Sequence, residues 1–182
     1  MRSAAPGAQL SVFVLLLWAG VMHASEAEDN AERQAPIGRW STGGTLIEVT
    51  TQGASLSARL IALKHPLYRR KDGRGEVGAV KVDDQNPDPA LRERPLLGLE
   101  LFSDFEFRRG RWSGRVYSPE SGRTFSARIR VKDNELHVRG FILGMPWLGR
   151  STGLLPVAVC DEDILKMIST SGIDEPACTP TQ

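Results

Sequence analysis

Histidine is scarce in this 182-residue chain: there are three, and His23 lies in an apolar leader, which leaves only His65 and His137. The chain has no His-Glu-x-x-His, no Gly-x-Ser-x-Gly elbow and no phosphate-binding glycine loop. The metal-, serine- and nucleotide-dependent chemistries that need those motifs are therefore not expected. Net charge is also lacking, at +1, so no global field draws the chain to nucleic acid. Only two cysteines are present, Cys160 and Cys178, too few and too far from histidine for a zinc site. Long hydrophobic runs are absent except for Leu10–Val21, which Ser11 and Gly20 interrupt. That run is too short for a hydrocarbon layer of about 30 Å but suits a secretory signal.

What is present follows from that leader. Arg2 supplies a weak positive start, and small residues precede two candidate cleavage points, after Ala24 or after Ala27. The expectation is a signal peptide over 1–27, export to the periplasm or beyond, and no stable membrane insertion once the signal is removed. In an oxidising compartment the two cysteines read most simply as one Cys160–Cys178 disulfide tying down the C-terminal tail. Residues 28–36 are polar and read as a disordered leader, 37–159 as the folded domain, and 160–182 as a tail.

Within 37–159 the apolar residues recur every second position. Ile47 and Val49, then Leu56, Ala58 and Leu60, form two alternating runs with Gly53 between them. Leu97, Leu99, Leu101, Phe105 and Phe107 share one parity, followed by Trp112 and Val116, by Phe125, Ala127, Ile129 and Val131, and by Leu136, Val138 and Ile142. Arg109-Gly110, Pro119-Glu120-Ser121-Gly122 and Asp133-Asn134 punctuate them. Regular alternating strands with short turns predict an all-β, antiparallel barrel or sandwich, and only the stretch after Asp161 reads as a helix, with that residue as its N-cap.

One long segment breaks the rhythm. Lys64–Lys81 is basic and glycine-rich, and Asp83–Gly98 is a polar loop pinned by Pro87, Pro89 and Pro95. A connection this long in a compact domain is usually functional or mobile. Asp84, Asn86 and Asp88 begin with the oxygen spacing of a calcium loop, but Pro89 and Pro95 occupy the places where glycine and a bidentate glutamate are needed. No metal or other cofactor is expected. These oxygens read as turn and backbone-capping groups.

Several blocks resemble a bacterial family of small exported proteins, domain-of-unknown-function family 2147. They are Gly38-Arg39-Trp40, the Asp84–Gly98 loop with Asn86-Pro87-Asp88-Pro89 and Arg92, and Trp112–Pro119 with Gly122 and Phe125. Leu136–Phe141 and Gly149-Arg150-Ser151 complete the resemblance, which spans 37–157. It implies a lipocalin-like, up-and-down β-barrel, and it carries no assigned activity. Thr152-Gly153-Leu154-Leu155 stands where the family usually has a tryptophan, and the basic stretch and the tail are additions.

A small barrel of this kind holds one small molecule in its interior or is filled by its own side chains. The leading expectation is a non-catalytic binder of a partly apolar or amphipathic ligand; the alternative is an envelope protein-interaction or maintenance module with a packed barrel. A hydrolase built on Asp83, Asp84 and Glu100 is the weakest reading. The candidate ligand contacts are Trp40 from the first strand, Asp84, Asn86 and Arg92 from the long loop, and Tyr117, Arg139 and Arg150 near one open end. If Asp133-Asn134 is a two-residue turn, Arg128 lies opposite Arg139 and Arg130 opposite His137. Like charges in register need compensation, either from carboxylates such as Glu48 or Glu106 or from an anionic ligand group. The oligomeric state is left open.

Overall fold

The structure is a computed structural model that describes residues 27–142, 145–173 and 179–180. All of the predicted signal except its last residue lies outside the described residues, and so does Cys178. Eight antiparallel strands close into an up-and-down barrel, each hydrogen-bonded to its sequence neighbour and the first to the eighth. They are β1 Gly38–Ser41, β2 Thr45–Gln52, β3 Ser55–Leu63, β4 Glu100–Phe107, β5 Trp112–Ser118, β6 Arg123–Lys132, β7 Glu135–Ile142 and β8 Met145–Pro156. The closing seam is short, pairing Trp40 with Pro156 and Ser41 with Leu155.

One face of each strand feeds a single core that includes Trp40, Val49, Leu56, Leu60, Phe105, Trp112, Ile129, Leu136 and Leu154. Two hairpins follow directly from turn chemistry. Asp133 and Asn134 have φ of 52° and 61°, and Arg109 and Gly110 have φ of 54° and 70°. Paired left-handed residues match the right-handed twist of the flanking strands. The resulting register sets Arg128 opposite Arg139 and Arg130 opposite His137, as the spacing predicts.

In β4 the strict alternation fails. It places Leu101 on the core face, yet Phe102 and Phe105 are the buried residues and Leu101 is only partly covered. Asp104 has φ of 55°, and the register to β5 shifts between Ser103 and Glu106. The extra residue brings two positions three apart onto the same face, with their rings 5.1 Å apart. Gly114 on β5 completes the fit: a Cβ there would lie 2.6 Å from the Phe105 ring.

Among the described residues, two α-helices flank the barrel. Residues 27–34 form helix α1, which takes in most of the 28–36 stretch that the sequence suggests is a disordered leader. It is fixed where Trp112 Nε1 donates to the Arg33 carbonyl (3.2 Å), where the Arg33 guanidinium lies 4.6 Å over the Phe107 ring, and just beyond it where Trp40 Nε1 donates to the Pro36 carbonyl (2.8 Å). Helix α2, Glu162–Thr170, is capped by the Asp161 carboxylate accepting from Ile164 N at 2.8 Å. Its Ile164, Met167 and Ile168 form a second cluster with Leu46, Ala62 and Cys160. The short strands β9, Val159–Cys160, and β10, Thr179–Pro180, pair in parallel.

Candidate functional site

The two ends of the barrel are finished differently. At one end the 64–99 connection folds over the mouth. Gly98 N donates to Leu60 O, Leu60 N to Leu99 O, and Leu96 packs against the core. Asp83, wholly inaccessible to solvent, is the centre of this cover. Its Oδ2 accepts from Arg94 Nε (2.9 Å) and Nη2 (2.8 Å) and from Asn86 Nδ2 (2.7 Å). Its Oδ1 accepts from the Tyr117 hydroxyl at 2.6 Å. Asn86 Nδ2 also reaches the Tyr117 oxygen (3.1 Å), Asn86 Oδ1 accepts from Asp88 N (2.9 Å), and Arg92 Nε donates to Asn86 O (2.7 Å). A buried carboxylate with this many charge-assisted donors is a structural anchor. The Tyr117 phenol is pushed above its ordinary value of 10.0, first by burial and then by the Asp83 carboxylate.

The neighbouring half of the loop is ordered by Tyr68, which is itself buried. Its hydroxyl donates to Asp84 Oδ2 at 3.1 Å. Asp84 Oδ1 lies 3.3 Å from Arg74 Nη1, an ion-pair contact without hydrogen-bond geometry. Burial, ahead of the Asp84 carboxylate, raises the Tyr68 phenol too. Asp72 is held well below the carboxylate range by the Arg69 amide first, then by the Arg69 and Lys81 side chains.

At the opposite end, beside α1, a groove of about 890 Å³ runs from the β4–β5 hairpin onto the outer face of β6 and β7. Its accessible apolar lining is Phe107, half-buried, with Ala31 and Ala35 of α1; Trp112 and Ile129 border it but are buried in the core. Arg109, Arg111, Arg128, Arg130, Lys132, His137 and Arg139 rim it, and Glu32 is the carboxylate among its lining residues. The carboxylates named in the sequence reading as compensation are engaged elsewhere: Glu48 with Arg39 at 3.0 Å and Glu106 with Arg108 at 2.6 Å. Arg128 instead stacks 5.4 Å over the Phe141 ring, and Glu135 Oε2 lies 3.7 Å from His137 Nε2.

The seven candidate contacts thus separate. Asp84, Asn86, Arg92 and Tyr117 meet in the loop cover, together with Asp83 and Arg94. Trp40 is buried in the core. Arg139 sits opposite Arg128 and Ser151, on the parity facing away from the core, and lines the groove. Arg150 is exposed and lies opposite Gly140. Of the carboxylates considered for hydrolysis, Glu100 accepts from Ser57 Oγ at 2.7 Å, while Asp83 and Asp84 hold the partners above. Arg109 and Arg111 escape the sequence reading because a hairpin arginine looks like ordinary surface; only the position of α1 turns them into a rim. Among the described residues, no cluster of histidine, cysteine and carboxylates has the makings of a metal site, and no helix is long and apolar enough to cross a membrane.

The family model for an uncharacterized protein conserved in bacteria, DUF2147, matches residues 38–154. The chain belongs to the DUF2147 family. The match takes in all but the last residues of the DUF2147 barrel and leaves α1 and the tail outside it. Among solved structures, the Helicobacter pylori protein HP1028, described as belonging to the lipocalin family, is similar at 19% identity with a TM-score of 0.53. The alignment covers 77% of this DUF2147 chain and 90% of HP1028, and it shows the lipocalin-like fold. No protein of curated description matches this DUF2147 chain.

Proposed function

We propose that this protein is an exported, lipocalin-like binder of a small amphipathic anion, held in the groove beside α1. One observation carries the reading: the outward arginine rungs of β6 and β7 line the same groove as the half-buried Phe107 ring and the exposed Ala31 and Ala35 of α1. An alkyl or ring portion would lie against Phe107 and the alanines of α1, and its carboxylate, sulfate or phosphate would accept from Arg128, Arg130 and Arg139. The groove's volume lies in the range of about 300–1,000 Å³ usual for small-molecule sites.

The interior of the barrel favours the second reading, a packed envelope module. Trp112, Phe105, Leu56, Val49, Ile129 and Leu136 are all essentially inaccessible, so the lumen is filled where a lipocalin-like carrier would hold its ligand. Binding beside the barrel reconciles a packed core with a ligand. Export is supported by the leader sequence. It also fits the proposed Cys160–Cys178 bridge: Cys160 is buried and not a free thiol, and the β9–β10 pairing brings Thr179, next in sequence to Cys178, beside Val159. Peptide mapping without reductant of protein recovered from the periplasm would recover the bridged peptide; both thiols free would contradict it.

Calorimetric titration with laurate, and with lauryl alcohol as the uncharged control, tests the binding directly. The expected result is saturable laurate binding, weakened about tenfold or more by Arg128→Glu with Arg130→Glu. Equal heats for the two probes, or no change in the double variant, would contradict the proposal.

A further inference from the structure

The 64–81 segment has a second surface with no part in the groove. Three of the seven large hydrophobic residues that stand exposed among the described residues, Leu67, Val77 and Val80, fall in it. Leu67 and Val80 are paired across an antiparallel bridge, so their side chains share one side of the ribbon. Lys64, Arg69, Arg70, Lys71, Arg74 and Lys81 accompany them against only Asp72 and Glu76. Asp72 is used internally, by Arg69 at 3.2 Å and Lys81 at 3.1 Å, and Arg74 and Lys64 pair with Asp84 and Asp163. Arg70 and Lys71 stand outward on the short turn Arg70–Asp72.

The display is rigid. Tyr68 lies on the buried side of the ribbon, bonded backbone to backbone with Ala79 and Gly78, and Gly75 fits so closely over its ring that no Cβ could be accommodated. Exposed aliphatic side chains are therefore held out by design of the backbone and do not simply trail from a flexible loop. The His65 imidazole is held below its ordinary value of 6.5, by burial first and then by Arg69, Lys71, Lys81 and Lys64. The local field is positive although the chain as a whole is nearly neutral.

We infer that this ribbon docks the protein onto the surface of an anionic lipid bilayer, with Leu67, Val77 and Val80 entering the headgroup layer and Arg70 and Lys71 meeting the lipid charges. The aliphatic residues decide between polyanions: a nucleic acid would reward stacking aromatics, and the segment's one aromatic, Tyr68, is buried. A bilayer rewards both exposed aliphatic area and unpaired cations. Docking of this kind would hold a binder of amphipathic anions at the surface where such molecules partition, though it does not depend on the groove.

The test uses the chain from Glu28 onward, which keeps all of α1 but its first residue and every core residue between Pro36 and Ile168, and lacks the apolar leader. It is sedimented with vesicles of equal parts phosphatidylglycerol and phosphatidylcholine, and with vesicles of phosphatidylcholine alone. The expected result is binding to the anionic vesicles, lowered about fivefold for each charge removed in Arg70→Gln and Lys71→Gln. Leu67→Ser with Val80→Ser should lower it at least as far, with the thermal midpoint unchanged. Arg128→Glu with Arg130→Glu, which disables the groove, should leave vesicle binding within twofold of the parent. Equal binding to neutral vesicles, insensitivity to Leu67→Ser with Val80→Ser, or equally tight binding to duplex DNA would overturn the inference.

Discussion

Asp83 shows how much of a site can hide behind an ordinary residue. From the sequence, Asp84, Asn86, Arg92 and Tyr117 are recognisable as polar groups of one loop and one strand, but nothing in their spacing says that Asp83 is the residue they surround. Burial singles it out, and burial is a property of the closed loop. The network makes Asn86 costly to replace: its amide is buried and bonds both Asp83 and Tyr117. Asn86→Ala should lower stability by about 2 kcal/mol, since it strips a donor from a buried carboxylate. Urea unfolding would measure this, and an unchanged midpoint would contradict the anchoring role. The chain's two tyrosines supply a second prediction. Tyr68 and Tyr117 are both raised above 10.0 in the folded state, so near pH 10 the unfolded chain releases phenol protons that the folded one keeps. Their contribution to stability is complete below the ordinary phenol value and is lost as pH rises through the folded one. Absorbance titration should show little phenolate until the barrel opens, with both tyrosines then ionising together; ionisation near pH 10 in a still-folded barrel would contradict it.

At the scale of elements the alternation of apolar residues carries far. It finds β2 to β7 but not β1 or β8, and it finds the Asp133-Asn134 hairpin and hence the arginine rungs, because a two-residue turn leaves no freedom in register. It fails in β4, where a left-handed Asp104 inserts one residue and no local pattern announces a bulge. It fails also at α1, whose apolar surface is small and whose placement comes from long-range contacts to Trp112, Phe107 and Trp40. The bulge has a measurable partner in Gly114. Gly114→Ala should cost about 1–3 kcal/mol, the usual penalty for an added methyl that a packed core cannot absorb. In the Phe105→Ala background, which removes Cγ and the ring though not the Cα at 2.7 Å, Gly114→Ala should cost less. Thermal or urea unfolding of the two variants checks the pair, and additive losses would show that Gly114 and Phe105 do not share that space.

For the whole molecule, the DUF2147 barrel has one end closed by a polar loop and a groove at the other, with a core between them that leaves little room for a guest. The fold class and family are legible in the sequence, since both rest on strand period and on blocks such as Trp112–Pro119. The groove is not, because it forms only where α1 crosses the β4–β5 hairpin and brings residues about eighty positions apart together. Which end works and which end merely closes is therefore a structural question, and it is the claim on which the functional reading stands. The most direct measurement is chemical-shift mapping of dodecyl phosphate, below its micelle concentration, on the isotopically labelled chain. Saturable shifts are expected at Phe107, Trp112, Arg128, Arg130 and His137, with Asp83, Asn86 and Tyr117 unmoved. Shifts centred on Asp83, Asn86 and Tyr117, or none at Trp112 and Arg130, would contradict it.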